Sequence, residues 1–229
     1  MTEQNNFSPG PNRRASQHIK PVRSGQAPLH PGVIYHIFNR GVNGETIFKE
    51  RRNYEYFINL YLKHIQPVAD TYAFCLLPNH FHMLAEVKVK DLTGLCVAPR
   101  NGVEGRDLSG LKPASQAFSN LFNAYAKSIN KAYGRTGPLF ERPFKRIPVK
   151  DNNYFARLLI YIHQNPQRHG LIEDYRDWPY TSYGIFMGDQ ATFIKRDVVR
   201  EWFGDVGELL NAHQINLDVG EDKDFVDDE

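Results

Sequence analysis

Cysteine is nearly missing from this chain: Cys75 and Cys96 are the only two in 229 residues. Two thiols cannot build the disulfide framework of a small secreted domain, and their scarcity fits a reducing cytoplasm. Long hydrophobic runs are missing as well. No apolar stretch approaches the roughly 20 residues of a membrane span, so no membrane partner is expected. Arg13, Arg14, Lys20 and Arg23 are not followed by an apolar segment, so no secretory signal is expected either. Internal repeats and a glycine-rich nucleotide-binding loop are also absent.

What is present is a chain long enough for one compact domain with appendages. Its net charge of +2 conceals a division. Residues 1–170 carry 23 basic and 11 acidic side chains, and residues 171–229 carry 5 and 15. A basic body is the footprint of phosphate-backbone binding, although a solvated surface of mixed sign would look similar.

Residues 1–30 are rich in Pro, Gly, Asn, Ser and Gln and read as a flexible basic arm. Val33–Phe38 reads as a strand ended by Asn39-Arg40-Gly41, and Tyr54–Ile65 has helical spacing. Tyr72–Leu77 and His80–Val87 read as a hairpin turning at Pro78-Asn79. The pattern lapses over 91–114, a loop insertion, and resumes in a helix from Ser115 that ends at Gly134. Pro143–Val149 can form a fourth strand. Asp151 caps a third helix, which Pro166 should stop at Asn165. This order predicts an α+β fold: a ferredoxin-like split βαβ sandwich, an antiparallel sheet with helices on one face, plus a C-terminal helical extension. The domain would span 31–186, with an aromatic clasp at Trp178–Tyr183. A helical extension at 187–215 and an acidic disordered tail at 216–229 follow.

Candidate chemistry centres on Leu77-Pro78-Asn79-His80-Phe81-His82. Strand side chains alternate, so His80 and His82 share a face while Phe81 turns to the core. Two imidazoles on a rigid strand are half of a metal site. Nitrogen ligands with an amide or water oxygen would suit magnesium or manganese. Tyr161 and Asn165 lie one helical turn apart and can face that metal together. Each feature alone has a plainer reading, as polar residues on a solvated sheet or a half-buried packing tyrosine. Basic groups interleaved with glycines and aromatics make Arg40, Lys127, Lys131, Arg135, Arg142, Lys145 and Arg146 candidates for nucleic-acid contact.

Five motifs in order, Leu77–His82, Ser115–Lys131, Arg135–Phe140, Tyr161–Pro166 and Trp178–Tyr183, resemble the HUH single-tyrosine transposases. Within these the chain is most similar to the REP-associated tyrosine transposases, over about residues 31–186. The resemblance implies a bacterial, cytoplasmic, nucleoid-associated enzyme that nicks and transfers single-stranded DNA, including hairpins. It makes His80 and His82 the metal-binding pair for a divalent Mg or Mn ion and Tyr161 the nucleophile. Asn165 occupies the place of a helix-borne third ligand that is often glutamine in the family. The insertion and the acidic end depart from the short form of the family. Homodimerisation, with the site completed in cis or in trans, stays open. So do two rival functions: a non-catalytic nucleic-acid-binding module, and a hydrolase whose nucleophile is water.

Overall fold

The computed structural model describes residues 28–89 and 114–214. The basic arm, the insertion and the acidic tail therefore lie outside the described residues, apart from 28–30 and 114. Strands β1 (Ile34–Arg40), β2 (Ala69–Leu76), β3 (His80–Val87) and β4 (Lys145–Pro148) form one sheet in the order β2-β3-β1-β4. Every neighbouring pair is antiparallel. Helix α1 (Arg51–His64) links β1 to β2, and α2 (Ala114–Ala132) precedes β4. The α+β ferredoxin-like arrangement expected from the element order is the one observed.

Strand β1 is longer than its sequence suggests. Asn39 and Arg40 pair with Phe81 and His80, so ladder bonds carry the strand two residues past Phe38. The polar pair resembled a strand end because sequence alone does not reveal a partner that satisfies its backbone.

The two faces of the sheet are closed differently. Phe81 of β3 meets Phe57 of α1 with ring centroids 5.2 Å apart and Phe122 of α2 at 5.5 Å. The helices of the split βαβ unit thus share one face. Helix α3 (Asn152–Arg168) covers the opposite face, where Phe155 meets Tyr72 of β2 edge-on at 5.3 Å. Burying each such side chain contributes about 1.5–3 kcal/mol, and β3 contributes to both cores.

Helix α3 starts as expected, with Asp151 accepting a hydrogen bond from the Tyr154 backbone N–H at 2.8 Å. It does not stop at Asn165. Pro166 lies inside the helix, which continues to Arg168. Near the C-terminus proline removes a single ladder bond, and the burial of Asn165 and Pro166 between packed elements holds the helical path. The stop is Gly170, at φ +64°. Its N–H donates to Gln167 O and the N–H of Leu171 donates to Pro166 O, both at 3.0 Å, the Schellman pattern.

The Trp178–Tyr183 segment does clasp the body. Leu76 N donates to Tyr180 O and Ser182 N to Phe74 O, both at 2.9 Å. Trp178 Nε1 donates to Leu76 O at 3.0 Å, and Tyr180 stacks on Tyr54 with centroids 3.6 Å apart. The segment thereby covers the outer edge of β2. Two further helices, α4 (Arg196–Phe203) and α5 (Val206–Gln214), pack beyond it. Among the described residues no helix is long and apolar enough to cross a membrane.

Candidate active site

Period-two alternation along β3 puts His80 and His82 on the face covered by α3, where they are 7% and 0% exposed. Their rings meet edge-on with centroids 5.2 Å apart. Register places Arg40, Phe38 and His36 of β1 opposite His80, His82 and Leu84, so these three share the same face.

Each histidine of the pair is oriented through its Nδ1. His80 Nδ1 lies 2.7 Å from Asn79 Oδ1, and His82 Nδ1 lies 2.9 Å from His36 Nε2. A hydrogen bond donated from Nδ1 fixes the neutral tautomer with its lone pair on Nε2, the state in which imidazole ligates metals.

Helix α3 brings the other two candidates to the same place. Tyr161 is 6% exposed, and its ring meets His82 edge-on at 5.7 Å. Asn165 is fully buried, with Oδ1 3.3 Å from His80 Nε2. With the Nδ1 proton of His80 given to Asn79, Nε2 and Oδ1 would face one another as two acceptors. Either the Asn165 amide turns to donate, or a cation lies between them. Asn165 Nδ2 is buried with no hydrogen-bond partner among the described residues, so the amide is not yet fully satisfied. A separation near 3.3 Å is also what two ligands at about 2.1 Å from one ion adopt when they subtend roughly 100–105° at it. The donor set therefore fits a divalent ion. Among the described residues no three His, Cys, Asp or Glu side chains form a metal-binding group. The remaining ligands would have to be oxygens of water or a bound phosphate.

Several neighbours were not legible as site residues. His36 is fully buried and stacked on His82 at 5.1 Å; its period-two placement with Phe38 was the available signal. Arg168 and His169 follow only because α3 runs past Pro166. The Arg168 guanidinium sits 5.8 Å from the centroid of the Tyr161 ring and donates to Gln164 Oε1 at 3.0 Å. Burial pulls the Arg168 pKa down, and neighbouring Tyr161 acts in the opposite sense. The exposed His169 ring meets that of His80 at 4.7 Å. Cys75 pairs in register with His82, but burial pushes its thiol pKa well up, so it stays protonated and is no candidate thiolate ligand.

The seven basic candidates do not form one patch. Lys145 shares the histidine face and lies over the Phe38 ring at 5.5 Å. Arg40 is on that face too, paired with Glu141 at 2.6 Å. Arg146 points to the other face, with its guanidinium 4.8 Å from the Phe144 centroid. Arg135 grips Glu45 through two nitrogens and bonds Asn130, fastening the turn after α2. Lys127, Lys131 and Arg142 are exposed, the first two on α2.

No family model matches the chain. A curated relative from Haemophilus influenzae, "Putative REP-associated tyrosine transposase", is 28% identical over 119 residues. That alignment takes in 50% of this chain, which spans 58% of the relative's length. A solved structure of a REP-associated tyrosine transposase bound to a REP hairpin aligns with 82% of this chain and 87% of its own, at 16% identity and a TM-score of 0.45. At that distance the solved structure carries no argument about this chain's ligand. The relative bears the same family name that the five motifs resemble.

Proposed function

From that likeness and the geometry of the cluster, we propose that this chain is a metal-dependent, single-tyrosine DNA transposase that nicks and rejoins single-stranded DNA, with hairpin or repeat ends as its substrate. The observation that carries the reading is the convergence of Tyr161 and Asn165 from α3 with His80 and His82 from β3 in one cluster. A divalent ion such as magnesium or manganese, held by His80, His82 and Asn165, would polarise the scissile phosphate and stabilise the charge that develops on it.

The chain's own residues supply the rest. An ordinary phenol has a pKa of about 10 and is a weak nucleophile, so positioning has to do much of the work. Tyr161 is fixed between His82 and Arg168. Its Oη would attack phosphorus, losing the phenolic proton. The Oη–P bond forms while the P–O3′ bond breaks, and the departing oxygen takes up a proton to become a free 3′-hydroxyl. The product is a 5′-phosphotyrosine, which keeps the phosphodiester free energy. A second DNA 3′-hydroxyl can then reverse the step and join new ends without an external energy source. Arg168, beside the nucleophile, and Lys145, on the same sheet face, place positive charge where DNA phosphates would pass. Such an enzyme would work where chromosomal DNA is, as a monomer or a homodimer.

The test is a covalent-adduct assay. Wild type and Tyr161→Phe are incubated with labelled single-stranded DNA, including hairpins, and magnesium or manganese, then run on a denaturing gel. A metal-dependent shifted band in wild type alone is expected. A band that persists in the phenylalanine variant would identify another nucleophile. Cleavage without any covalent band would point to water.

A further inference from the structure

A cavity of about 310 Å³ opens beside His80, and nothing in the reaction above uses it. Three segments build it: the loop after β1 (Gly44, Thr46), the β2–β3 turn (Pro78, Asn79) and the end of α3 (His169, Leu171). The walls are fixed by backbone hydrogen bonds. Gly41 N donates to Asn79 O at 2.8 Å, and Ile47 N and Phe48 N both donate to Pro78 O, at 2.7 and 2.9 Å. Gly44 sits at φ +71° with open space where a Cβ would project. The Schellman turn holds His169 and Leu171 at the rim, where Leu171 is 42% exposed.

Its chemistry is mixed in a particular way. His169, exposed overall, brings an aromatic ring to the rim, Pro78 and Leu171 offer apolar edges, and Asn79 and Thr46 offer hydrogen-bonding groups. Among the described residues no charged side chain lines it. A phosphate would find no cation here, whereas a planar heterocycle with polar edges would find both a stacking partner and hydrogen-bond partners. The volume is at the small end of ligand sites, which run from about 300 Å³. His80 belongs both to this cavity and to the proposed metal cluster, so an occupant would lie within one nucleotide of a phosphate held there.

The geometry points to this cavity as a nucleobase subsite: it takes one unstacked base flanking the scissile phosphate, with His169 as the stacking residue. The inference rests on the proposed function, since it assigns a substrate position within that site. Base–aromatic stacking contributes about 1–3 kcal/mol, which corresponds to roughly a 5- to 150-fold effect.

The experiment starts from a randomised single-stranded DNA pool with magnesium or manganese, from which the DNA joined to wild-type protein is sequenced. That sequence is then remade with an abasic site at each of the two positions on either side of the attachment phosphate. Wild type should lose at least about fivefold in adduct rate at one of these positions. His169→Ala should be slower on intact DNA by a similar factor and indifferent to the abasic site at that position only. His169→Phe should restore both rate and sensitivity, which a merely structural role for the histidine would not do. Adduct formation with equal abasic sensitivity in wild type and His169→Ala would overturn the subsite and leave the nuclease reading intact. No adduct from wild type on any DNA would overturn both.

Discussion

Acid should loosen the C-terminal helices, and the reason lies in two histidines that take no part in the proposed chemistry. His163 Nδ1 lies 2.8 Å from His213 Nε2, and His163 Nε2 lies 2.8 Å from Ser182 Oγ. His213 Nδ1 donates to Leu209 O at 2.7 Å, which leaves its Nε2 to accept from His163. The relay works with both rings neutral; a proton added to His213 would set two N–H groups head to head. Burial pushes His213 down to about 4 and His163 well below its usual 6.5, the latter helped by the nearby His213 charge. In the unfolded chain these rings protonate near pH 6.5, so between about pH 6.5 and pH 4 the unfolded state binds more protons. Stability is therefore fully present above pH 6.5 and lost as pH falls through that window. The slope is about 1.4 kcal/mol per pH unit for His213, or about 3 kcal/mol over the window. Urea unfolding at pH 7.5, 6.5 and 5.5, followed by circular dichroism, measures it. Replacing His213 with Gln removes one titrating group. Wild type should then lose about 1 kcal/mol more than His213→Gln between pH 6.5 and 5.5, since the unfolded ring is already half protonated at pH 6.5. Parallel stability curves for the two proteins would refute the argument.

Four other outcomes are expected. His36→Ala should weaken manganese binding about 10- to 100-fold in calorimetric titration, because the partner that orients His82 is lost; unchanged affinity would remove His36 from the site. Phe57→Ala should destabilise by about 3–5 kcal/mol in urea, since Phe57 is fully buried against Phe81, Phe48 and Tyr125. Lys145→Glu should weaken single-stranded DNA binding and lower its salt dependence by about one ion. Arg146→Glu should act mainly on stability, and equal binding losses from the two would mean that sheet face does not sort them.

The β3 motif was legible because strand alternation is rigid: once His80–Val87 is a strand, His80 and His82 must share a face. The Tyr161–Asn165 pairing followed equally well from helical spacing. Three features did not follow. Helix order does not say on which face a third helix packs, and α3 covers the side away from α1 and α2. Pro166 carries a strong local signal for a helix end, yet tertiary burial overrides it, and with that extension come Arg168 and His169. His36 was hidden by its neighbours, since a lone histidine in an apolar strand gives no sign of which residue across the sheet it will meet. Charge counting located a basic body but could not separate Lys145, on the histidine face, from Arg135, which is engaged with Glu45.

The ties of α3 also bear on how two copies could share a site. His163 is bonded at both ring nitrogens, to Ser182 of the clasp and His213 of α5, and Gln164 Nε2 donates to His213 O at 2.9 Å. Ser182 in turn is bonded to Phe74 of β2. A swap of α3 alone between two molecules would have to remake every one of these buried bonds with the clasp and α5 of the other copy. A swap that kept them within one chain would have to move the clasp and α5 as well, lifting residues 178–182 from the β2 edge. Tyr161, the proposed nucleophile, meets His82 of its own chain, so a chain acting alone already brings together one whole set of the proposed reacting groups.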